Sequence, residues 1–167
     1  MYLIRHGETS YNNIDIYKNC SYMNFLPLSN VGIKNSKKLL RKIDATEKII
    51  VSSPYTCALQ TAYILANGKC DVIVERNLHN WLSDKQFGLY IHQISSAHQE
   101  YENNNGKHFN DSIYNYETKE ELKTRFMNCI EKYTEQYNSD DLIFVCHKKL
   151  IETVINEEIQ HCKIYEI

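Results

Sequence analysis

Residues 2–9 read Tyr-Leu-Ile-Arg-His-Gly-Glu-Thr, a short apolar run that leads directly into an arginine, a histidine and a glycine. The apolar run predicts a buried first strand at residues 2–4. Open α/β sheets bind their ligands at the carboxyl ends of the strands, which is where Arg5 and His6 stand. Arginine presents a planar fork of donors that suits phosphate oxygens, and histidine is a nucleophile toward phosphorus. The pair predicts an anion site, although a solvated turn also accounts for so short a motif.

The rest of the chain alternates predicted strands and helices. Further strands are predicted at residues 48–51, 71–74 and 142–146, with a final edge strand at 162–167. Helices are predicted at residues 31–43 with Asn30 as cap, after Ser53-Pro54, at 93–101, from the Thr118 capping box to about 137, and at 148–155. This order predicts an α/β fold, a three-layer α/β/α sandwich around a mostly parallel sheet, formed by one domain over residues 1–167.

Composition excludes several classes of function. A formal net charge of −2 gives no general attraction to nucleic acid or to an anionic membrane. No apolar run approaches the length of a membrane span, and no basic region or cleavage site indicates a signal peptide. The six cysteines show no regular spacing, which favours a reducing, cytoplasmic setting. The histidines show no metal-ligand spacing, so neither a metal nor a cofactor is expected, and the pattern sets no oligomeric state.

A second histidine stands in a context that matches His6. His147 follows the predicted strand at residues 142–146 and begins a helix. Parallel strands end at the same edge of a sheet, and a helix start adds free N–H groups and partial positive charge. The two histidines are therefore expected to converge on one anion site, the alternative being that each merely ends a strand.

Short motifs follow in order along the chain. Residues 27–32 read Pro-Leu-Ser-Asn-Val-Gly, residues 52–54 Ser-Ser-Pro, residues 58–62 Ala-Leu-Gln-Thr-Ala, residues 82–88 Leu-Ser-Asp-Lys-Gln-Phe-Gly, residues 116–118 Tyr-Glu-Thr and residues 144–148 Phe-Val-Cys-His-Lys. Together with residues 3–9 and Asn12, this ordered set resembles the histidine phosphatase superfamily, which includes the cofactor-dependent phosphoglycerate mutases and many small phosphatases. The resemblance implies a phosphoglycerate mutase-like fold.

The resemblance also implies roles for individual residues. His6 is the nucleophile that forms a transient phosphohistidine, and Asp84 is the acid that protonates the leaving oxygen and then activates water. Arg5 and His147 hold the phosphoryl oxygens, and Asn12 adds a neutral donor. The implied protein is a phosphatase, a metal-independent phosphomonoesterase that acts on a small phosphorylated substrate without a cofactor.

Three departures from the family pattern concern charge. Cys57 stands where the family has a second phosphate-binding arginine, and we interpret it as a packing residue, with a substitute nucleophile as the alternative. Lys148 replaces a family glycine, and Lys85 follows Asp84. Each lysine is either a compensating cation or a solvated side chain. Asp84 itself is one methylene shorter than the usual glutamate.

Two alternatives to a phosphatase stay open at this point. Loss of the arginine at Cys57 favours a non-catalytic relative that binds a phosphorylated ligand or partner. A mutase is disfavoured, because only the modest segment 89–115 stands where mutases carry longer insertions. Trp81 is interpreted as a core residue or a substrate-facing ring. The remaining histidines are interpreted as structural: His79, His92, His98, His108 and His161.

Overall fold

A computed structural model describes residues 1–10 and 24–167 of the chain. Its strands are β1 (Tyr2–Arg5), β2 (Ile49–Ser52), β3 (Val72–Val74), β4 (Leu142–Cys146) and β5 (Ile164–Glu166). They form one sheet in the order β3-β2-β4-β1-β5. The first four strands are mutually parallel, and β5 pairs antiparallel with β1 at the edge. The predicted mostly parallel sheet with a final edge strand is confirmed.

The helices are α1 (Asn30–Leu39), α2 (Thr56–Ala66), α3 (Ile91–Asn103), α4 (Lys119–Thr134) and α5 (Lys148–Ile151). The cap of α1 is Ser29 rather than Asn30, since the Ser29 side chain accepts from the Gly32 N–H. The predicted capping box at Thr118 is present. Both α1 and α5 end earlier than predicted, because their last turns tighten to i−3 hydrogen bonds.

Alternating side chains of the strands bury both faces of the sheet. One face packs Leu142, Phe144 and Cys146 of β4 against α4 and α5. The other face packs Ile143 and Val145 against α1 and α2. Because residues two apart on a strand point to the same side, the two helical layers follow directly from this alternation. The architecture is the predicted three-layer α/β/α sandwich.

The final strand is shorter than the predicted 162–167. Cys162 has a φ of 53°, in the left-handed region that an extended strand cannot contain. Its N–H donates to the Arg5 carbonyl at 3.0 Å, so this bend brings the segment before β5 beside the end of β1.

Backbone hydrogen bonds continue beyond the strands at the carboxyl edge of the sheet. The His6 N–H donates to the Cys146 carbonyl, and the Ser53 N–H donates to the Val145 carbonyl, each at 3.0 Å. Since β2, β4 and β1 are neighbours, this edge holds Ser53, His147 and His6 in a row. Among the described residues, no helix is long and apolar enough to cross a membrane.

Candidate active site

The His6 ring is oriented by the turn that follows β1. Its Nδ1 lies 2.7 Å from the Gly7 carbonyl oxygen, so the Nδ1–H tautomer donates there and Nε2 keeps its lone pair. The Gly7 N–H donates to Thr61 Oγ1 at 2.9 Å, which ties the turn to α2. A Cβ at position 7 would lie 2.8 Å from Ser36 Oγ and 2.9 Å from the Gly32 oxygen. The turn therefore requires glycine, and it fixes the face that His6 presents.

His147 lies beside His6, with ring centroids 5.0 Å apart in an edge-on arrangement. It is the N-terminal cap of α5 and is 2 % exposed. Its Nε2 lies 2.8 Å from Ser53 Oγ, so the serine at the end of β2 sets the orientation of the ring. The structure thus brings the two histidines to one site from opposite ends of the chain.

These histidines line a cavity of about 310 Å³ at the carboxyl edge of the sheet. Arg5 is also in its wall, and its Nη1 donates to the Ile159 carbonyl at 2.9 Å. Lys148 and Lys149, from the first turn of α5, add positive charge to the wall. The cavity is therefore lined by cations and imidazoles, which suits an anion.

Burial favours the neutral form of both imidazoles, His6 and His147. The pKa of His6 is lowered to about 4, mainly by burial and also by the charges of His161 and Arg5, while the hydrogen bond to the Gly7 carbonyl opposes the shift. Burial also lowers the pKa of His147 well below its ordinary value, with an added contribution from His6. A neutral imidazole retains the lone pair that a nucleophile needs.

Cys57 packs against this pair of histidines. It is 3 % exposed on the first turn of α2, and burial raises the pKa of its thiol to about 12. A neutral thiol gives neither the charge of an arginine nor a nucleophilic thiolate. The sulfur and one ring nitrogen each of His6 and His147 lie within 4.8 Å of one another. Sequence spacing gave no sign of this group, because its members come from three separate elements.

The two lysines of the cavity wall differ in exposure and in the contacts that hold their ammonium groups. Lys149 forms an ion pair with Glu102, and its ammonium lies 4.4 Å from the centroid of the Tyr101 ring, so its side chain is only 13 % exposed. Lys148 is 50 % exposed and lies 3.4 Å from Glu152 on the same helix. The sequence pattern indicates Lys148 as a candidate compensating cation but gives no such indication for Lys149.

Asp84 and Lys85 are not brought to the cavity. The Asp84 carboxylate is 8 % exposed and lies outside the cavity lining. It accepts hydrogen bonds from the N–H groups of Gln86, Gly88 and Leu89, at 2.9, 2.5 and 3.2 Å. Lys85 pairs with Glu121 at 2.9 Å, also outside the lining. The role of Asp84 as the acid stays a prediction, and its observed contacts hold a loop. Asn12 lies outside the described residues.

Several residues of the cavity wall carried no clear signal in the sequence. His161, interpreted there as structural, lines the cavity, with its ring centroid 5.6 Å from that of His6. His98, also interpreted as structural, lines it too. Glu8 supplies a carboxylate to the wall and accepts from Ser29 Oγ at 2.6 Å. Of these three residues, only Glu8 could have been proposed from the sequence, because it directly follows the Arg-His-Gly motif.

Trp81 satisfies both of its proposed interpretations. It lines the cavity and also packs against the buried rings of Tyr101 and Tyr116. Its Nε1–H donates to the Glu117 carbonyl at 2.6 Å. The Glu117 carboxylate in turn pairs with Arg125 at 2.7 Å, with both side chains largely buried. The position of Trp81 therefore depends on an ion pair behind it.

Comparison with known proteins agrees with this geometry. A family model described as the histidine phosphatase superfamily, branch 1, matches residues 1–161. The fold is similar to that of phosphoserine phosphatase from Entamoeba histolytica in complex with 3-phosphoglyceric acid (TM-score 0.63, 22 % identity, 91 % of this chain and 75 % of that one). It is also similar to YhfR from Bacillus stearothermophilus (0.68, 19 %, 92 % and 76 %). A mycobacterial glucosyl-3-phosphoglycerate phosphatase is a further structure of this fold (0.64, 20 %, 92 % and 76 %). No curated protein matches the chain.

Proposed function

Because the chain belongs to branch 1 of the histidine phosphatase superfamily, we propose that it is a phosphatase that hydrolyses a small phosphomonoester through a phosphohistidine on His6. The orientation of His6 carries the proposal. Its Nδ1–H is held by the Gly7 carbonyl at 2.7 Å, and the ring lies in the wall of a cationic cavity. A neutral imidazole with a fixed tautomer is ready to attack phosphorus without prior loss of a proton.

The reaction has two displacement steps. First, the Nε2 lone pair attacks phosphorus, a P–N bond forms, and the P–O bond to the leaving alcohol breaks. Then water attacks phosphorus and gives a proton to the carboxylate that protonated the leaving oxygen in the first step, the P–N bond breaks, and inorganic phosphate leaves. Arg5 and His147 line the cavity beside His6. Arg5 donates to the phosphoryl oxygens in both steps, and so does His147 from Nδ1–H, in the tautomer whose Nε2 accepts from Ser53 Oγ.

Lys148 is proposed to supply the charge that the family pattern places at Cys57. Its side chain is half exposed in the cavity wall, and within the described part of the chain its ion pair is with Glu152, 3.4 Å away on the same helix. Lys149 is less available, because Glu102 and the Tyr101 ring already hold its ammonium. Lys85 is committed to Glu121.

Two carboxylates are candidates for the acid that protonates the leaving oxygen. Asp84 is the choice that the family resemblance makes, but three backbone N–H groups occupy its oxygens. Glu8 lies in the cavity wall and is exposed, and its carboxylate accepts one side-chain bond, from Ser29 Oγ at 2.6 Å. The geometry favours Glu8 as the proton donor and gives Asp84 the task of holding residues 84–89.

The proposed substrate is a small phosphate ester with a further anionic or polar group. Proteins of this fold include a phosphoserine phosphatase bound to 3-phosphoglyceric acid and a glucosyl-3-phosphoglycerate phosphatase. A cavity of about 310 Å³ with two lysines in its wall suits molecules of that size and charge.

A non-catalytic phosphate-binding protein is the second candidate function. The observation that favours it is the neutral thiol of Cys57, which cannot replace a phosphate-binding cation.

Hydrolysis of an aryl phosphate separates the two functions. The wild-type protein should turn over, and His6→Ala should lower the rate at least about a thousandfold, as expected for loss of a nucleophile. His92→Ala, an exposed change on α3, is the matched control and should leave the rate unchanged. Binding of phosphate without any turnover by the wild-type protein would favour the non-catalytic function.

A further inference from the structure

Three metal-ligating side chains lie close together, two of them, His6 and His147, in the cavity wall and the third, Cys57, buried beside them. His6 follows β1, Cys57 lies on the first turn of α2, and His147 caps α5, yet one ligand atom from each lies within 4.8 Å of the other two. Within residues 1–10 and 24–167, no other group of three histidine, cysteine or acidic side chains is so arranged. The sulfur ligand is present because Cys57 stands where the family pattern has an arginine.

The chemistry of the three ligands suits a thiophilic divalent cation. One thiolate and two imidazoles form a donor set that Zn²⁺ prefers, with three protein ligands and an open fourth position. Tetrahedral Zn²⁺ bonds of 2.0–2.3 Å separate neighbouring ligand atoms by about 3.3–3.6 Å. Since no pair of these atoms is more than 4.8 Å apart, binding of the ion would require each pair to close by no more than about 1.5 Å.

Hydrogen bonds behind the ligands already orient them. The Gly7 carbonyl accepts from His6 Nδ1–H at 2.7 Å, which directs Nε2 away from the backbone. Ser53 Oγ lies 2.8 Å from His147 Nε2, and in the tautomer that donates to Ser53 the lone pair is on Nδ1. Thr61 Oγ1 donates to the Cys57 carbonyl at 2.8 Å and steadies the turn that carries the thiol. Outer contacts of this kind fix ligand orientation in metal sites.

We propose that His6, Cys57 and His147 form a binding site for Zn²⁺ or a similar thiophilic divalent cation, and that the ion and a phosphoryl group occupy His6 in turn. On binding, the Cys57 thiol releases its proton to solvent and the thiolate ligates the ion. The ion uses the His6 lone pair that would otherwise attack phosphorus. Metal binding itself is independent of the proposed hydrolysis, whereas inhibition by the metal rests on it.

Titration of the metal-free protein with Co²⁺ tests the site directly, because a thiolate ligand gives a near-ultraviolet charge-transfer band. One equivalent should produce the band, and Zn²⁺ should displace it. Cys57→Ser should abolish the band and weaken Zn²⁺ binding at least about 100-fold, since loss of an outer contact alone costs 10–100-fold. Cys70→Ser is the matched control and should change neither the band nor the Zn²⁺ affinity. Cys70 precedes the parallel strand β3, so it lies at the amino ends of the strands, away from the carboxyl edge that holds the site.

A second variant covers the case in which Cys57→Ser fails to fold. His6→Asn should also weaken Zn²⁺ binding while circular dichroism stays native. Absence of the band in the wild-type protein, or a Zn²⁺ affinity unchanged in both variants, would overturn the site. If the wild-type protein is a phosphatase, Zn²⁺ should inhibit it, a chelator should restore it, and loss of the Cys57 thiol should remove the sensitivity. A wild-type protein that hydrolyses no phosphate ester but still gives the Cys57-dependent band would contradict the proposed phosphatase activity and leave the metal site supported.

Discussion

Two regions of the cavity are held in place by different means. The strand-end group (Arg5, His6, Ser53 and His147) stands at the carboxyl ends of three neighbouring strands, and main-chain bonds of 3.0 Å continue the ladder through His6 and Ser53. The α3 segment (residues 79–118) carries Trp81 to the cavity, and it lies outside the sheet. Two main-chain bonds, from Glu117 N–H to the Leu82 carbonyl and from Lys85 N–H to the Asn115 carbonyl, hold it, together with the Glu117–Arg125 ion pair. The first region cannot move without breaking the sheet. The second region is placed by fewer and less regular contacts, so its residue roles are harder to infer from motifs.

The largest expected effect falls on the strand-end group. Arg5→Ala removes a cation from the cavity wall, and a lost oxyanion donor costs about 10²–10³ in rate. We expect kcat/KM on an aryl phosphate to fall about a thousandfold, because the family's second arginine is replaced by a neutral thiol. Steady-state kinetics measures the effect, and circular dichroism checks that the fold survives loss of the bond to the Ile159 carbonyl.

Lys148→Ala is the comparison for that variant. A half-exposed lysine that shares its charge with Glu152 should contribute less, about tenfold in kcat/KM. A larger loss in Lys148→Ala than in Arg5→Ala would mean that the strand-end group does not hold the phosphate.

The same difference explains how much could be predicted from the sequence. Strand ends in a parallel sheet share an edge, so the positions of His6 and His147 along the chain are enough to predict that they converge. Lys149 and His161 could not be assigned in this way, because their positions depend on tertiary contacts of Glu102 and of the bend at Cys162. The contacts of Asp84 are local, but they arise from side-chain rotamers and loop conformation, which the motif does not specify.

The next effect is a loss of protein stability when the ion pair behind the α3 segment is removed. Arg125→Ala leaves the buried Glu117 carboxylate without its ion pair and removes the bond to the His79 carbonyl at 3.2 Å. Breaking a buried pair costs about 3–5 kcal/mol, so we expect the free energy of unfolding to fall by about 3 kcal/mol in urea titrations. Lys85→Ala breaks the exposed pair with Glu121 and should cost at most about 1 kcal/mol. Equal costs for the two variants would remove the distinction between this ion pair and a surface one.

The identity of the acid tests whether the α3 segment takes part in the chemistry. Removing the proton donor harms a poor leaving group most, because an aryl oxide leaves without protonation and an alkoxide does not. We expect Glu8→Gln to lower turnover of an alkyl phosphate about 100-fold and of an aryl phosphate much less. Asp84→Asn should instead lower the free energy of unfolding by about 1–2 kcal/mol, since it weakens bonds to the loop N–H groups.

If the family resemblance assigns the acid correctly, Asp84→Asn rather than Glu8→Gln will lower turnover of the alkyl phosphate. A selective loss of alkyl phosphate turnover in Asp84→Asn, with Glu8→Gln near normal, would mean that residues 84–89 rearrange when substrate binds. The α3 segment would then join the strand-end group as catalytic machinery.

A further effect of modest size is the pH dependence of stability that His6 produces. The pKa of His6 is about 4 in the folded protein, whereas an unfolded chain has the ordinary value of 6.5. Between these values the unfolded state binds the extra proton, so His6 contributes stability above pH 6.5 that is lost as the pH falls toward 4. His6→Asn has no such proton to bind. From pH 7 to pH 5, we expect the wild-type free energy of unfolding to fall by about 1–2 kcal/mol more than that of His6→Asn. Parallel pH profiles for the two proteins would show that the His6 ring is solvated, and the strand-end group would lose the neutral nucleophile on which its proposed chemistry depends.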